Sequence, residues 1–496
     1  MTLTEMLERT VETFPDKPAI VSESGALTYR EFSEVTNRLA NVLLGLGVKQ
    51  GDPVAVLMPP TTDWLIGYFG ATKAGARVVI LNAMLTPPEL GGQLLDSGSA
   101  IVLTEGRFAK ALAAAAPAGP SPVKHVFPLD APEFRVELEQ APASAPDVTS
   151  DIADECAVLY TSGVLGKQKG VVHTHRSLIT VAEVGIKCMA LQPEWTVMAM
   201  IPFFHVLGLG TALGALYKGC TIAVAPRFTV KNVLEIVQHQ RINLIVGVPA
   251  MFNALSMVPE ETLEELDLSC LRVAMTAGAK SSVTLMEALE KKYGLVLTEI
   301  YGTTETPIIC MGGLENRRLG TAGQPTLEFK VIGEDGVEVP RGQVGQAICK
   351  GPQVMTGYFK APELTAQVLK DDWFYTGDLV VMAEDDYVSY VEKQSFIIVT
   401  SSGVKIPPTE VEDVVLTHPA LAEAAYVGVV QEDGGQLPVL FAVLKEGQEL
   451  SKQALRAYCA DSLAVYKLPQ RIEFVSEMPR IASGKVDRRQ LQGWKA

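Results

Sequence analysis

Tyr160-Thr161-Ser162-Gly163-Val164-Leu165-Gly166-Lys167-Gln168-Lys169-Gly170-Val171-Val172 is the stretch on which the reading of this chain turns. It follows a short strand-like run, Ala157–Leu159, and leads through His173-Thr174-His175 into a helical pattern from Ser177. Three glycines let backbone N–H groups turn inward onto an anion, and the lysines add charge, which is what cradling a phosphate requires. It is not a Walker A loop, because no Gly-Lys-Ser/Thr follows at the right spacing. Taken alone, a surface Gly/Lys turn explains the composition equally well.

Outward from this loop, helical and β-branched runs alternate. Glu31–Leu46, Asp63–Ala74 and Pro88–Ser97 have helical spacing, while Pro53–Met58, Arg77–Leu81 and Ala100–Thr104 read as strands. That alternation predicts an α/β fold, a mostly parallel sheet covered by helices. Ala111–Pro122 reads as an alanine helix ending in Pro/Gly turns. Beyond Leu314 short strands separated by Gly, Pro and Asp turns predict a small β-barrel-like subdomain over 315–392. The last hundred residues predict a small α+β domain. Glu410–Leu416 and Lys452–Ser462 read as its helices, and Ala424–Val429 and Val439–Lys445 as its strands. The expected division is 1–392 and 393–496.

The 496 residues carry 42 Lys and Arg against 57 Asp and Glu, a net charge of −15. Such a surface repels a polyanion, so nucleic acid is not an expected partner, and any phosphate ligand needs a local positive cluster. From Tyr466 to Ala496 seven basic residues face three acidic ones, the reverse of the whole-chain balance. The seven cysteines are scattered with no CxxC pair, which implies neither a disulfide framework nor zinc and fits a cytoplasmic setting. Met1–Lys17 has no apolar core of a signal peptide. Trp195–Tyr217 lacks any charged residue, but Pro202, His205 and three glycines break it into a strand, a turn and a core helix rather than a membrane span.

The loop resembles the YTSG-TTG-x-PKG signature of the AMP-forming acyl-CoA synthetase, or adenylate-forming, superfamily. Further resemblances follow in the family's order. They are Pro202-Phe203-Phe204-His205-Val206-Leu207-Gly208, Gly247-Val248-Pro249-Ala250, Thr276-Ala277-Gly278-Ala279 and Tyr301-Gly302-Thr303-Thr304-Glu305. Trp373–Asp378, Pro408–Glu412 and Pro479–Lys485 complete the set, which covers essentially the whole chain. The resemblance implies a carboxylic acid activated as an acyl adenylate and passed to coenzyme A, with Mg²⁺ and an AMP moiety from ATP or a preformed adenylate. It also implies that the C-terminal domain is a mobile lid.

By the same resemblance Thr161, Ser162, Gly163, Gly166 and Lys169 hold phosphate. Ala277, Gly278, Ala279, Tyr301, Gly302 and Thr303 enclose the adenine, and Asp378 and Lys393 meet the ribose. Thr304 touches the α-phosphate, Glu305 holds Mg²⁺, Lys485 reaches the phosphate and the attacking carboxylate, and His205 gates the acyl carboxylate and the thiol path. Gly403 belongs to the segment brought in for the thiol step. Phe204, Leu207, Gly208, Val248, Met251 and Pro307 line the acyl pocket, whose apolar character favours a hydrophobic or aromatic acid. Each residue taken singly has a plainer reading, such as a solvated carboxylate or a core histidine.

The sequence departs from the family twice. Val164 and Leu165 replace two hydroxyl residues that bond the β- and γ-phosphates, and Gln168 replaces a proline. A hydrogen bond to a charged group is worth about 1.5–3 kcal/mol, so losing two lowers ATP use tenfold to several thousandfold. An acyl adenylate has no β- or γ-phosphate. The departure therefore points to a ligase whose adenylation half is weak or lost, fed by a separate adenylating enzyme. At the hinge, Val391–Phe396 replaces the family's Arg-x-Lys-Asp pattern, with Lys393 in place of the arginine. A conventional two-step synthetase and an inactive adenylate-binding protein remain open. A peptide-synthetase domain is less expected, since no carrier segment follows Ala496.

Overall fold

The computed structural model describes residues 1–109, 112, 121–161, 169–225, 227–400, 405–430, 436–460, 463, 465–481 and 485–494. The alanine-rich stretch read as a helix over 111–122 lies mostly outside them. The chain divides into two compact units: Met1–Glu328 with Lys350–Phe374, and Phe329–Cys349 with Tyr375–Ala496. The β-rich stretch 315–392 is thus shared between the two.

Two sheets organise the first unit. One runs Gln324–Pro325, Cys310–Met311, Val296–Tyr301, Val273–Ala277, Leu244–Gly247, Thr196–Ala199, Thr221–Ala223, Pro18–Ser22, Gly25–Thr28. Its centre is parallel and its two ends are antiparallel. The other runs Gly357–Tyr358, Lys169–Thr174, Glu155–Thr161, Arg77–Ile80, Pro53–Leu57, Ile101–Thr104, His125–Pro128. It is parallel except for the first three strands. Val54–Leu57 and Ile101–Thr104 are buried throughout, which is why they read as unbroken apolar runs rather than alternating ones. Every expected strand and helix outside the alanine stretch is present, with ends shifted by one to three residues.

Threonine caps set the helix starts. Thr28 accepts from Glu31 N–H while the Glu31 carboxylate accepts from Thr28 N–H, opening Tyr29–Gly45 with a capping box. Phe32, Thr36, Leu39, Ala40 and Leu43 then turn one face inward. Phe32 meets Phe69 of Thr62–Lys73 edge to face at 5.6 Å. Lys73, of the Lys-Ala-Gly-Ala run, ends that helix fully buried. Its ammonium lies 2.6 Å from Glu8 and donates to Asn37 at 2.7 Å, so one ion pair ties three helices together. Desolvation pulls its pKa down against the pull of Glu8.

The second unit carries most of a five-stranded sheet, in which Trp373–Met382 lies beside Val344–Lys350 and pairs antiparallel with Val388–Lys393. It also holds a three-stranded sheet of Leu421–Val430, Gln436–Leu444 and Arg471–Phe474, with helices Pro408–Val415 and Lys452–Ala460. Arg488 anchors it. Its guanidinium meets both Glu412 oxygens, at 2.8 and 2.7 Å, and donates to the Tyr426 carbonyl at 3.0 Å.

Candidate active site

The phosphate loop spans an antiparallel pair. Thr161 ends one strand opposite Lys169, which begins the next. Ser162, Gly163, Gly166 and the departures Val164, Leu165 and Gln168 lie outside the described residues, as does Gly403. The Lys169 ammonium sits 4.7 Å from the centre of the Tyr358 ring. Gly170 is required by a close approach, since a Cβ there would stand 2.8 Å from Val158 Cγ1 and 3.1 Å from Phe359 Cβ.

The Tyr301–Pro307 segment leaves the C-terminal end of its strand, beside the end of Val273–Ala277 (Ala277 pairs with Ile300). Ligands of open α/β sheets collect at such strand ends. Ala277 and Tyr301 are buried there, and Gly278 (φ +87°) and Ala279 are exposed. The chain then closes on itself. Thr303 N–H donates to the Thr306 carbonyl at 3.0 Å, and Thr306 N–H to Thr303 Oγ1 at 3.2 Å. A Cβ on Gly302 would lie 2.1 Å from the Pro307 oxygen, so only glycine fits.

Three long-range bonds hold this turn. His173, fully buried, places Nε2 2.8 Å from the Thr304 carbonyl and Nδ1 3.0 Å from Ser177 Oγ. Tyr358 donates its phenol to Glu305 Oε1 at 2.7 Å, and burial beside that carboxylate pushes the phenol well above its usual range. The Glu305 carbonyl accepts from Met355 N–H at 2.8 Å. Burial pulls the His173 and His175 pKa values down to about 4, so both rings are neutral at pH 7. Glu299, whose side chain accepts from Ser281 N–H, is pushed by burial up to about 7. Sequence reasoning noted the polar His-Thr-His but gave His173 and Tyr358 no role.

His205 sits at the N-terminal cap of Val206–Lys218, with its ring 4.8 Å from that of Phe204. Gly208 has no room for a side chain, because a Cβ would lie 2.4 Å from the Pro202 oxygen. Between this helix and His175–Met189 is a cavity, open at one side, whose space counted out into the adjoining solvent is about 470 Å³. Gly185, Met189, Leu207, Gly210, Gly214, Met275, Ile300, Pro307 and Ile308 contribute to its wall. Among the described residues no charged side chain lines it, and the one hydroxyl there, Thr211, donates to the Leu207 carbonyl at 2.8 Å. Of the six expected acyl-pocket residues, Leu207 and Pro307 line this cavity. Phe204 is buried at the preceding turn and Gly208 within the first turn of the Val206–Lys218 helix, Val248 caps the Pro249–Ser256 helix, and Met251 packs between the two large apolar clusters.

In the second unit Asp378 and Lys393 face each other across paired strands, with Nζ 3.2 Å from Oδ1. Asp378 is buried and Lys393 partly exposed. Lys485 is exposed, and its carbonyl accepts from Ile481 N–H at 2.9 Å. Among the described residues no group of three or more His, Cys, Asp or Glu is placed to hold a metal. Glu305 offers a single carboxylate, the kind of donor that Mg²⁺ takes together with phosphate oxygens and water.

Comparison with known proteins gives the family. The AMP-binding enzyme family matches residues 7–359, and the AMP-binding enzyme C-terminal domain matches 410–485. A feruloyl-CoA synthase of Amycolatopsis is 32% identical over 485 residues, covering 95% of this chain and 94% of its own. A long-chain-fatty-acid–CoA ligase of Mycobacterium tuberculosis is 31% identical over 471 residues, covering 93% and 91%. The crystal structure of an anthranilate CoA ligase with anthranoyl-AMP superposes with a TM-score of 0.93 at 25% identity, covering 99% of this chain and 97% of that one. The chain belongs to the AMP-binding enzyme family, in its branch of AMP-forming acid–thiol ligases. Among the described residues no helix is long and apolar enough to cross a membrane.

Proposed function

We propose that this enzyme forms a coenzyme A thioester of a hydrophobic or aromatic carboxylic acid through an acyl adenylate, and that its ATP-dependent first half is weak or lost. The observation that carries the substrate class is the uncharged cavity ending at Ile300, Pro307 and Ile308, which flank the Thr303–Thr306 turn. A second carboxylate buried against that wall would find no cation, so a short dicarboxylate is disfavoured. Ferulate and long-chain fatty acids, named for two relatives, belong to the favoured class.

In the thioester half the coenzyme A sulfur attacks the acyl carbonyl carbon, and the bond to the adenylate oxygen breaks to release AMP. Thr304 holds the α-phosphate, Asp378 and Lys393 hold the ribose, and Ala277–Ala279 with Tyr301 enclose the adenine. His205 guards the thiol path, and 393–496 acts as the lid. In the adenylation half Lys485 presents a point charge to the α-phosphate and attacking carboxylate, while Thr161, Ser162, Gly163, Gly166 and Lys169 cradle the phosphates. When bound, Mg²⁺ on Glu305 spreads phosphate charge. The support for a weak adenylation half is Val164 and Leu165, which remove hydroxyl donors only from the phosphates that leave as pyrophosphate, and Gln168, which replaces the loop's proline.

Assaying each half separately tests the proposal. Thioester from synthetic acyl adenylate plus coenzyme A, with little pyrophosphate release from ATP, Mg²⁺ and acids, is the expected result. Brisk pyrophosphate release overturns the weak half and leaves a conventional two-step ligase, the reading that retention of Lys485 favours. Failure of both halves with every acyl adenylate and acid tried would make the chain an adenylate-binding protein rather than an enzyme. Restoring Val164→Thr, Leu165→Thr and Gln168→Pro together should raise pyrophosphate release at least tenfold.

A further inference from the structure

Thr304 and Glu305 occupy a turn whose own backbone bonds join only Thr303 and Thr306. What orients the Thr304 peptide comes from 131 positions earlier in the chain, on the strand that leaves the phosphate loop. A carbonyl oxygen accepts only, so the His173 nitrogen 2.8 Å from it, Nε2, carries the proton. Nδ1 is then an acceptor, matched by Ser177 Oγ at 3.0 Å. That hydroxyl accepts in turn from Thr174 N–H at 3.1 Å, and it has the Thr174 carbonyl, 2.9 Å away, as a second acceptor. The Thr304 carbonyl thus sets the ring's tautomer, while Nδ1 and the Thr174 carbonyl compete for the single Ser177 hydroxyl proton.

The same strand grips the turn a second way. Val171 and Val172 pair with Tyr358 and Gly357, and Tyr358 donates to Glu305. Lys169, at the head of this strand, lies over the Tyr358 ring.

We propose that His173 is a positioning residue for the adenylate: its Nε2–H fixes the Thr304 peptide and thereby couples the strand leaving the phosphate loop to the turn that meets the α-phosphate. The proposal rests on the assignment of that turn to the adenylate. A packing histidine needs only its volume; a positioning one needs its donor. Misplacement of a binding group by about 1 Å is enough to cost on the order of 100-fold in rate.

The test compares His173→Leu, which keeps volume and removes the donor, with His173→Gln, whose amide restores one, in the full chain. Calorimetry with AMP and thioester formation from a synthetic acyl adenylate are the readouts. His173→Leu should weaken AMP binding about fivefold or more and lower kcat about 10–100-fold, with KM for coenzyme A within about twofold. His173→Gln should recover most of both. Selective ¹⁵N-histidine labelling of the unaltered protein should show Nε2 protonated, with a shift on AMP addition; a protonated Nδ1 overturns the proposal. So does a His173→Leu protein that binds AMP and turns over normally, or Leu and Gln variants that fall equally. Thr304→Ala separates the two readings. If it too binds AMP normally, the assignment of the turn fails and the proposal with it. If it binds poorly while His173→Leu does not, the proposal alone fails.

Discussion

At Gly302 the neighbouring Pro307 oxygen would lie 2.1 Å from any Cβ, against backbone that cannot swing aside. Gly302→Ala should therefore open the turn that carries Thr304 and Glu305, destabilising the protein by about 1–3 kcal/mol and lowering thioester formation about 100-fold. Thermal unfolding and the half-reaction assay read both; a variant unchanged in either would refute the steric argument. Glu299 gives a pH prediction. Its folded value of about 7 lies above the ordinary 4.5, so its contribution to stability is complete below pH 4.5 and is lost as pH rises through 7. His173 and His175 act oppositely: their folded values of about 4 lie below 6.5, and their contribution is lost as pH falls from 6.5 through 4. Glu299→Gln should thus gain more over the parent in melting temperature at pH 8 than at pH 5. An equal gain at both would mean that Glu299 is not held above its ordinary value. Composition gave no warning of these groups, because a buried carboxylate and a solvated one are the same letter.

Among the elements, the helices His175–Met189 and Val206–Lys218 hold the cavity open by omission. Gly185 faces only Ile308 Cδ1, 4.0 Å from where a Cβ would be, and Gly214 would meet the Ala182 backbone at 3.7 Å. Gly185→Leu should fill the space without breaking the helix. We expect kcat/KM for long or multi-ring acids to fall at least about tenfold while benzoate, used as a small probe, changes little. A uniform loss across a graded acid series would show that the cavity does not receive the acyl group. The alternation of apolar runs made these helices and strands legible, and the Pro202–His205 turn before the second helix was read from its proline. The cavity was not legible. It depends on which faces of two helices meet, and a helical glycine looks the same whether it lines a void or a packed seam.

For the whole molecule, the proposed roles draw on both compact units: Thr304 and Glu305 belong to the first, Asp378, Lys393 and Lys485 to the second. Lys485→Ala should abolish whatever pyrophosphate release the enzyme shows and leave thioester formation from preformed adenylate within about threefold, since Lys485 is assigned to the first half alone. Loss of both halves together would remove that division of labour. Arg488→Met would strand the buried Glu412 carboxylate and should destabilise the second unit by about 3–5 kcal/mol, seen by calorimetry as an earlier transition for that part of the chain. A single unshifted transition would show that the pair is dispensable.

The sequence by itself determined the α/β class, nearly every element, the family, and the order of the motifs that carry its chemistry. The class and the elements follow from periodicity and turn residues, which act over a few positions; the family follows from the resemblance of its ordered motifs. Only the tertiary structure decided that His173 holds Thr304, that Tyr358 holds Glu305, that Lys393 faces Asp378, and that glycines on two helices line an apolar cavity. These depend on sheet order and strand register, which bring residues 15 to 131 positions apart within hydrogen-bonding distance. The reason is physical: a local pattern states which face of a strand is buried, but the partner it meets is chosen by the packing of the whole unit.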